Sequence, residues 1–217
     1  MPYKNTRRPR EQSLMNPATL GDRLRTARKQ LGWTLAHLAA RSNVSITTIS
    51  RAERGQLALG YENVTALAQA LQIDMGALFS GGGSKTMAHH GPVAVTRAGE
   101  GTAYYGHALT YEFLATSVVG KPINPVLGTI HARSVQGPQD FARHAGVEFV
   151  YVLTGEIEVH FENGEKVRLA KGDSLYFDSR IGHAFTTVSR QFAKVIGVIT
   201  TESNHIALAR GGIQRLD

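Results

Sequence analysis

The apolar residues of this chain change their period once, and that change decides what it can fold into. As far as Phe79 they recur three and four residues apart; from Val93 onward they alternate. The first spacing gathers apolar side chains on one face of a helix, the second on one face of a strand. Between the two lies Ser80-Gly-Gly-Gly-Ser84, the start of a flexible linker over 80–92. The expected fold is therefore α+β and multidomain: an all-α five-helix bundle over 19–79 and an all-β domain over 93–201. Residues 1–18, poor in apolar side chains and rich in arginine, read as a disordered basic arm, and 202–217 as a tail without pattern.

Within the helical half the strongest local signals fall between Thr34 and Arg54. Thr34 is placed to cap a short helix in which Leu35, Leu38 and Ala39 share one face. Ser42-Asn43 interrupts it, Asn being tolerant of a left-handed backbone, and Ser45 caps a second helix with Ile46 and Ile49 turned inward. Thr47, Ser50, Arg51 and Arg54 lie three and four apart and so share the opposite face. Hydroxyls and guanidinium groups beside an apolar face are what a helix entering a DNA groove requires. The candidate DNA contacts are Thr34, Ser45, Thr47, Thr48, Ser50, Arg51 and Arg54.

The flanking helices follow the same logic. Thr19-x-x-Asp22 has the spacing of a capping box, followed by an inward stripe of Leu20, Leu24, Ala27 and Leu31. Arg23, Arg25, Arg28 and Lys29 are expected to face outward, with Gly32 as the stop. Trp33 reads as a core or interface plug. Past Gly55, Val64, Leu67, Ala68 and Leu71 line a fourth helix, and Asp74 is placed to cap a fifth that closes on Leu78 and Phe79.

Charge divides along the same boundary. Residues 1–85 carry 12 Lys and Arg against 5 Asp and Glu, whereas residues 86–217 carry 12 against 12. The whole excess of +7 thus sits with the candidate DNA-contacting helix, the distribution of a polyanion binder. The chain has no cysteine, which excludes disulfides and thiolate metal sites. It has neither an apolar run of the roughly 18 residues a spanning helix needs nor the apolar core of a secretion signal, so a cytoplasmic protein is expected.

LAARSNVSITTISRAERG and the later ENVTALAQALQIDMGALF resemble the helix-turn-helix of Cro/CI-type (XRE-family) transcriptional regulators over roughly 19–79. Two positions depart from that family's pattern. Leu35 stands where a phosphate-touching glutamine is frequent, and Leu59-Gly60 where Pro-Ser is frequent.

In the second half, Gly155 separates EFVYVLT from EIEVHFE, Asn163-Gly164 marks a hairpin turn, and Lys171-Gly172-Asp173 another before SLYFD. Further strands are expected near 102–116, 125–134, 183–188 and 192–201, giving a sandwich or barrel. His144 and Glu148 lie four apart at the mouth of one strand, and His183 opens a later one. Two imidazoles and a carboxylate can hold a divalent metal facially, or can simply line a pocket. Tyr104, Tyr105, His107 and His131 are grouped as candidates for a polar small-molecule pocket, while His160, Glu156 and Glu158 read as a solvent face.

HAGVEFVYVLTGEIEV followed by GDSLYFDSRIGHAF resembles the two motif regions of the cupin superfamily, double-stranded β-helix barrels, over 141–188. That resemblance implies metal ligands at His144, Glu148 and His183, with Ala142 where a further histidine belongs. The implied cofactor is a divalent metal such as iron, zinc, manganese or nickel.

Together the resemblances imply a transcriptional regulator. It would bind operator DNA as a homodimer and sense a small-molecule effector through the cupin domain. The alternative is a mononuclear non-haem iron cupin enzyme. The chain is similar to the hydroxypropylphosphonate epoxidases in its His144, Glu148 and His183 pattern and its Tyr104-Tyr105 pair. Gly32 falls where those enzymes carry a substrate-gripping lysine, and the charge skew is better explained by DNA.

Overall fold

A computed structural model describes residues 14–15, 17–73, 78–79, 93–106, 108–118 and 121–200. The linker over 80–92, the tail, His107 and the Asp74 cap lie outside the described residues. The helical half contains α1 (Pro17–Gln30), α2 (Leu35–Ser42), α3 (Ile46–Glu53) and α4 (Tyr61–Leu71). Four α-helices stand among the described residues where five were expected, with Leu78 and Phe79 also helical. α1 begins at Pro17, whose ring presets the first helical turn, so Thr19 and Asp22 sit inside the helix instead of capping it.

The turn between α2 and α3 follows the expected chemistry. Thr34 Oγ1 accepts from His37 N at 3.1 Å and Ser45 Oγ from Thr48 N at 3.1 Å, satisfying first-turn amides of each helix. Asn43 between them is left-handed, with φ 56°. Leu20, Leu24, Leu38, Ile49, Val64 and Leu67 meet in the core, each at most 1 % exposed. Each fully buried side chain of this kind stabilises the fold by roughly 1.5–3 kcal/mol. The helical period overreached at two stripe ends: Leu31 is 48 % and Ile46 49 % exposed, one just beyond α1 and the other at the first residue of α3.

Ten strands stand among the described residues, β1 (Leu14–Met15) ahead of the helices and, in the second half, β2 (Thr102–Tyr105), β3 (Leu109–Phe113), β4 (Ile123–Ile130), β5 (Val147–Thr154), β6 (Glu156–Phe161), β7 (Lys166–Ala170), β8 (Ser174–Asp178), β9 (His183–Thr187) and β10 (Ala193–Thr200). Seven form one sheet in the order β1-β2-β3-β4-β10-β5-β8, and three form a second, β7-β6-β9. Apolar residues from both sheets, including Ile130, Val150, Val152, Ile157 and Val159, fill the interior. β1 departs from expectation, because two residues of the predicted disordered arm pair in parallel with β2, Leu14 opposite Ala103 and Met15 opposite Tyr104.

The two halves share packing. The helical core runs into Tyr104, Phe113, Val126 and Ile199 of the large sheet. Phe79 stacks on Phe113 with ring centroids 4.1 Å apart, and Tyr104 Oη donates to Leu59 O at 3.0 Å.

Candidate nucleic-acid interface and metal-ligand cluster

The outer face of α3 presents Thr47, Arg51 and Arg54 to solvent, with Ser50 half-buried beside them. Arg54 is folded back along the face, its guanidinium donating to Ser50 Oγ and, through Nε, to Gln56 Oε1. Behind this face α3 is fixed by Ile49 and by a buried ion pair. Arg28 Nε and Nη2 donate to the two carboxylate oxygens of Glu53 at 2.7 Å each, and Arg28 Nη1 donates to Trp33 O. Arg28, expected to face outward, is 8 % exposed and anchors α1 to the end of α3. Thr34 and Ser45 are exposed at the starts of their helices with their hydroxyls engaged as caps, and Thr48 is half-buried.

At the other site β5 and β9 bring the three candidate ligands together. The ligand atoms of His144, Glu148 and His183 all lie within 4.8 Å of one another, and all three residues are buried. Nε2 of His144 and Nε2 of His183 approach Glu148 Oε2 at 3.3 and 3.5 Å. Burial works against the Glu148 charge, but hydrogen bonds from His144 and His183 outweigh it and hold the carboxyl down at about 2. His183 Nδ1 donates to Ile181 O at 2.9 Å, so the Nε2 lone pair would face the cluster once a cation took the place of the Nε2 proton given to Glu148. Two nitrogens, an ionised carboxylate and a backbone carbonyl fixing one tautomer fit a divalent ion. Ala142 is bridged to His183 through two backbone hydrogen bonds of 2.9 and 3.0 Å. Its methyl group stands at the edge of the cluster, facing the cavity.

That cavity, about 470 Å³ in volume, is shared by both halves of the chain. The barrel supplies one side, including His144, Glu148 and His183; Thr48 of α3 and the segment 57–63 supply the other. Tyr61, the first residue of α4, sets its ring edge-on to His144 at 5.2 Å between centroids.

The helix-turn-helix family HTH_3 matches residues 24–78, and the cupin domain family matches residues 129–199. This is a helix-turn-helix DNA-binding regulator with a cupin domain. No curated protein matches its sequence. Among solved structures, the regulator shares its fold with an HTH_3 family transcriptional regulator from Vibrio cholerae. The two are 16 % identical, cover 86 % of this chain and 97 % of that one, and superpose with a TM-score of 0.60. A looser superposition, TM-score 0.41 at 23 % identity, is found with hydroxypropylphosphonic acid epoxidase from S. wedmorenis, over 85 % of this chain and 98 % of that one.

Of the expected polar pocket group, Tyr104, Tyr105 and His131 do not line the cavity. Tyr104 is 1 % exposed and turned into the joint between the domains, against Leu59 and Phe79. Tyr105, the next residue along β2, points the opposite way and is 50 % exposed. His131 is half-buried with Nε2 3.5 Å from Thr110 Oγ1 and its ring against Phe192. His107 lies outside the described residues. The sequence reading missed the contribution of the helical half to the cavity: Leu57, Leu59, Tyr61 and Glu62. One signal for it stood in the sequence. Gly60, a departure from the pattern of the family the sequence resembles, leaves room for that carboxylate, since a Cβ there would lie 2.4 Å from Glu62 Oε1.

Proposed function

We propose that the regulator reads duplex DNA with the outer face of α3, and that its cupin domain carries a divalent metal and responds to a small-molecule effector. The observation that carries the reading is the division of labour on α3. Ile49, Ala52 and Glu53 are buried and fix the helix, while Thr47, Arg51 and Arg54 are exposed. Arg51 contacts a base edge or a phosphate, and Thr47 and Ser50 supply hydroxyls beside it. Thr34, Ser45 and Thr48, at or near the helix starts, contact the backbone of the duplex, where N-terminal amides meet phosphates.

The test is binding of the purified protein to its own upstream DNA across a salt series. We expect a steep loss of affinity with salt, and Arg51→Ala weakening binding by roughly tenfold or more, the value of one good contact. Unchanged binding by Arg51→Ala at every salt concentration would exclude α3 as the reader.

His144, Glu148 and His183 are the proposed ligands of an iron, zinc, manganese or nickel ion. A divalent ion held there would act as a Lewis acid toward a donor atom of a bound molecule. Elemental analysis of wild type against His183→Ala tests this, and equal metal content in both would overturn it.

The regulator is proposed to act as a homodimer, because two-fold operators need two readers about one turn of DNA apart. The outer face of the large sheet supports this. Phe149 and Tyr176 stand opposite one another in register at 37 and 66 % exposure, with Tyr151 beside them.

One observation favours a second reading, an iron-dependent cupin oxidoreductase: the ligand cluster opens onto a cavity large enough for a substrate. Fe(II)-dependent oxygen consumption on 2-hydroxypropylphosphonate, from protein indifferent to DNA at low salt, would establish that reading instead.

A further inference from the structure

Apart from the imidazoles of His144 and His183, the ionisable side chains around the shared cavity are acidic. Among the described residues no lysine or arginine lines it, while three carboxylates do: Glu62, Asp140 and Glu148. Two of the three are committed within the protein. Glu148 is held between His144 and His183, and Asp140 Oδ2 accepts from the Gln136 and Gly137 amides at 2.6 and 3.4 Å. Glu62 is different. It stands in the first turn of α4, half-buried, with a hydrogen bond from the neutral Asn63 amide at 3.0 Å and the bare Cα of Gly60 against its oxygens. Burial pushes its carboxyl above the ordinary value, partly offset by a hydrogen bond from its own backbone amide and then by the charges of His144 and His183. A half-buried carboxylate whose hydrogen-bond donors are neutral amides gains from a cation placed beside it, and an anion brought to the same place meets repulsion in a medium of reduced dielectric. Much of the remaining wall is apolar, with Leu57, Leu109, Tyr111 and Ile199 beside the neutral polar side chains of Thr48, Asn63, Gln136 and Gln139, and the volume suits a small organic molecule.

We propose that the effector is a small primary amine with an apolar body, its ammonium group on Glu62 and its body against Leu57, Leu109 and Tyr111. The proposal rests on the reading of the cavity as an effector site. It places the ligand's cationic end on the DNA-reading domain and the rest of it against the barrel. Binding would therefore favour one placement of α3 relative to the barrel. It also sets the site against anionic ligands, phosphonates included.

The test uses four probes of matched body, 2-phenylethylamine, 2-phenylethanol, 3-phenylpropionate and 2-phenylethylphosphonate. Each is titrated by calorimetry into the full-length protein, first treated with EDTA and then supplied with equimolar Zn(II). The amine is expected to bind about tenfold or more tightly than the alcohol, the size of one charge-assisted hydrogen bond, and both anions more weakly still. Glu62→Gln should remove the preference for amine over alcohol and leave alcohol binding unchanged. Tighter binding of either anion in either metal state, an amine preference that survives Glu62→Gln, or no binding of the amine would each overturn the proposal. Salt-dependent DNA binding by the same preparation keeps the regulator reading standing whichever way the probe series falls.

Discussion

Arg28 takes a charge into the helical core, and its partner Glu53 lies 25 residues away. Both are nearly excluded from solvent, at 8 and 6 % exposure. Truncating one leaves the other's charge buried without a counterion, a loss of about 3–5 kcal/mol. Arg28→Ala is therefore expected to lower the urea midpoint of the helical signal sharply, whereas Arg28→Met combined with Glu53→Leu recovers most of the loss. A double variant no more stable than the single one would refute this account. The same residue marks where residue-level reading stopped. Arg28 follows Arg23 and Arg25 at a helical spacing that looks solvated, and nothing local reveals that Glu53 will be folded against it. Ile46 failed for the converse reason, since its place in the apolar stripe outweighed its position at the exposed first turn of α3. The caps at Thr34 and Ser45 were legible because capping is decided within three residues, by one side chain and one amide.

Elements were more legible than contacts between them. The turns at Gly155 and Gly172 adopt positive φ, 78 and 95°, but they carry the chain from one sheet to the other, β5 to β6 and β7 to β8; the expected hairpin is found at Asn163-Gly164, where β6 pairs with β7. β2 shows the limit. Alternation says that Tyr104 and Tyr105 face opposite ways but not which one faces the cavity, and neither lines it. The helices occupy that side of the sheet, so Tyr104 is used to hold Leu59. Tyr104→Phe would strand a buried carbonyl, at about 1–3 kcal/mol. Limited proteolysis should then cleave between the domains sooner; an unaltered rate would mean that the hydrogen bond does not hold them together. On β9, the pairing of Ala142 with His183 leaves a methyl at the edge of the ligand cluster. Ala142→His is expected to add an imidazole there and tighten Zn(II) binding by about tenfold or more, read by competition with a chelator. Equal affinity would show that position 142 is too far away to contribute.

At the scale of the molecule, the shift of hydrophobic period separates a helical part from a β part, and the charge skew places the basic excess with the first. Neither could reveal that the two share a core, because Phe79 meeting Phe113 and Leu59 meeting Tyr104 are encounters between segments that share no pattern. Two copies joined through the exposed face of β5 and β8 would bury Phe149, Tyr151 and Tyr176. Phe149→Asp with Tyr176→Asp is expected to halve the mass measured by light scattering and to weaken DNA binding together with it. A dimer that survives the double substitution would place the contact elsewhere.

Segment 57–63 follows α3, the helix proposed to read DNA, and also forms one wall of the cavity. A lineage that altered this stretch to answer a new metabolite would disturb its choice of promoter in the same step. Grafting the barrel beneath a foreign helix-turn-helix would leave its ligand chamber lacking a wall. Under the proposed function, sensing and address are inherited as one trait.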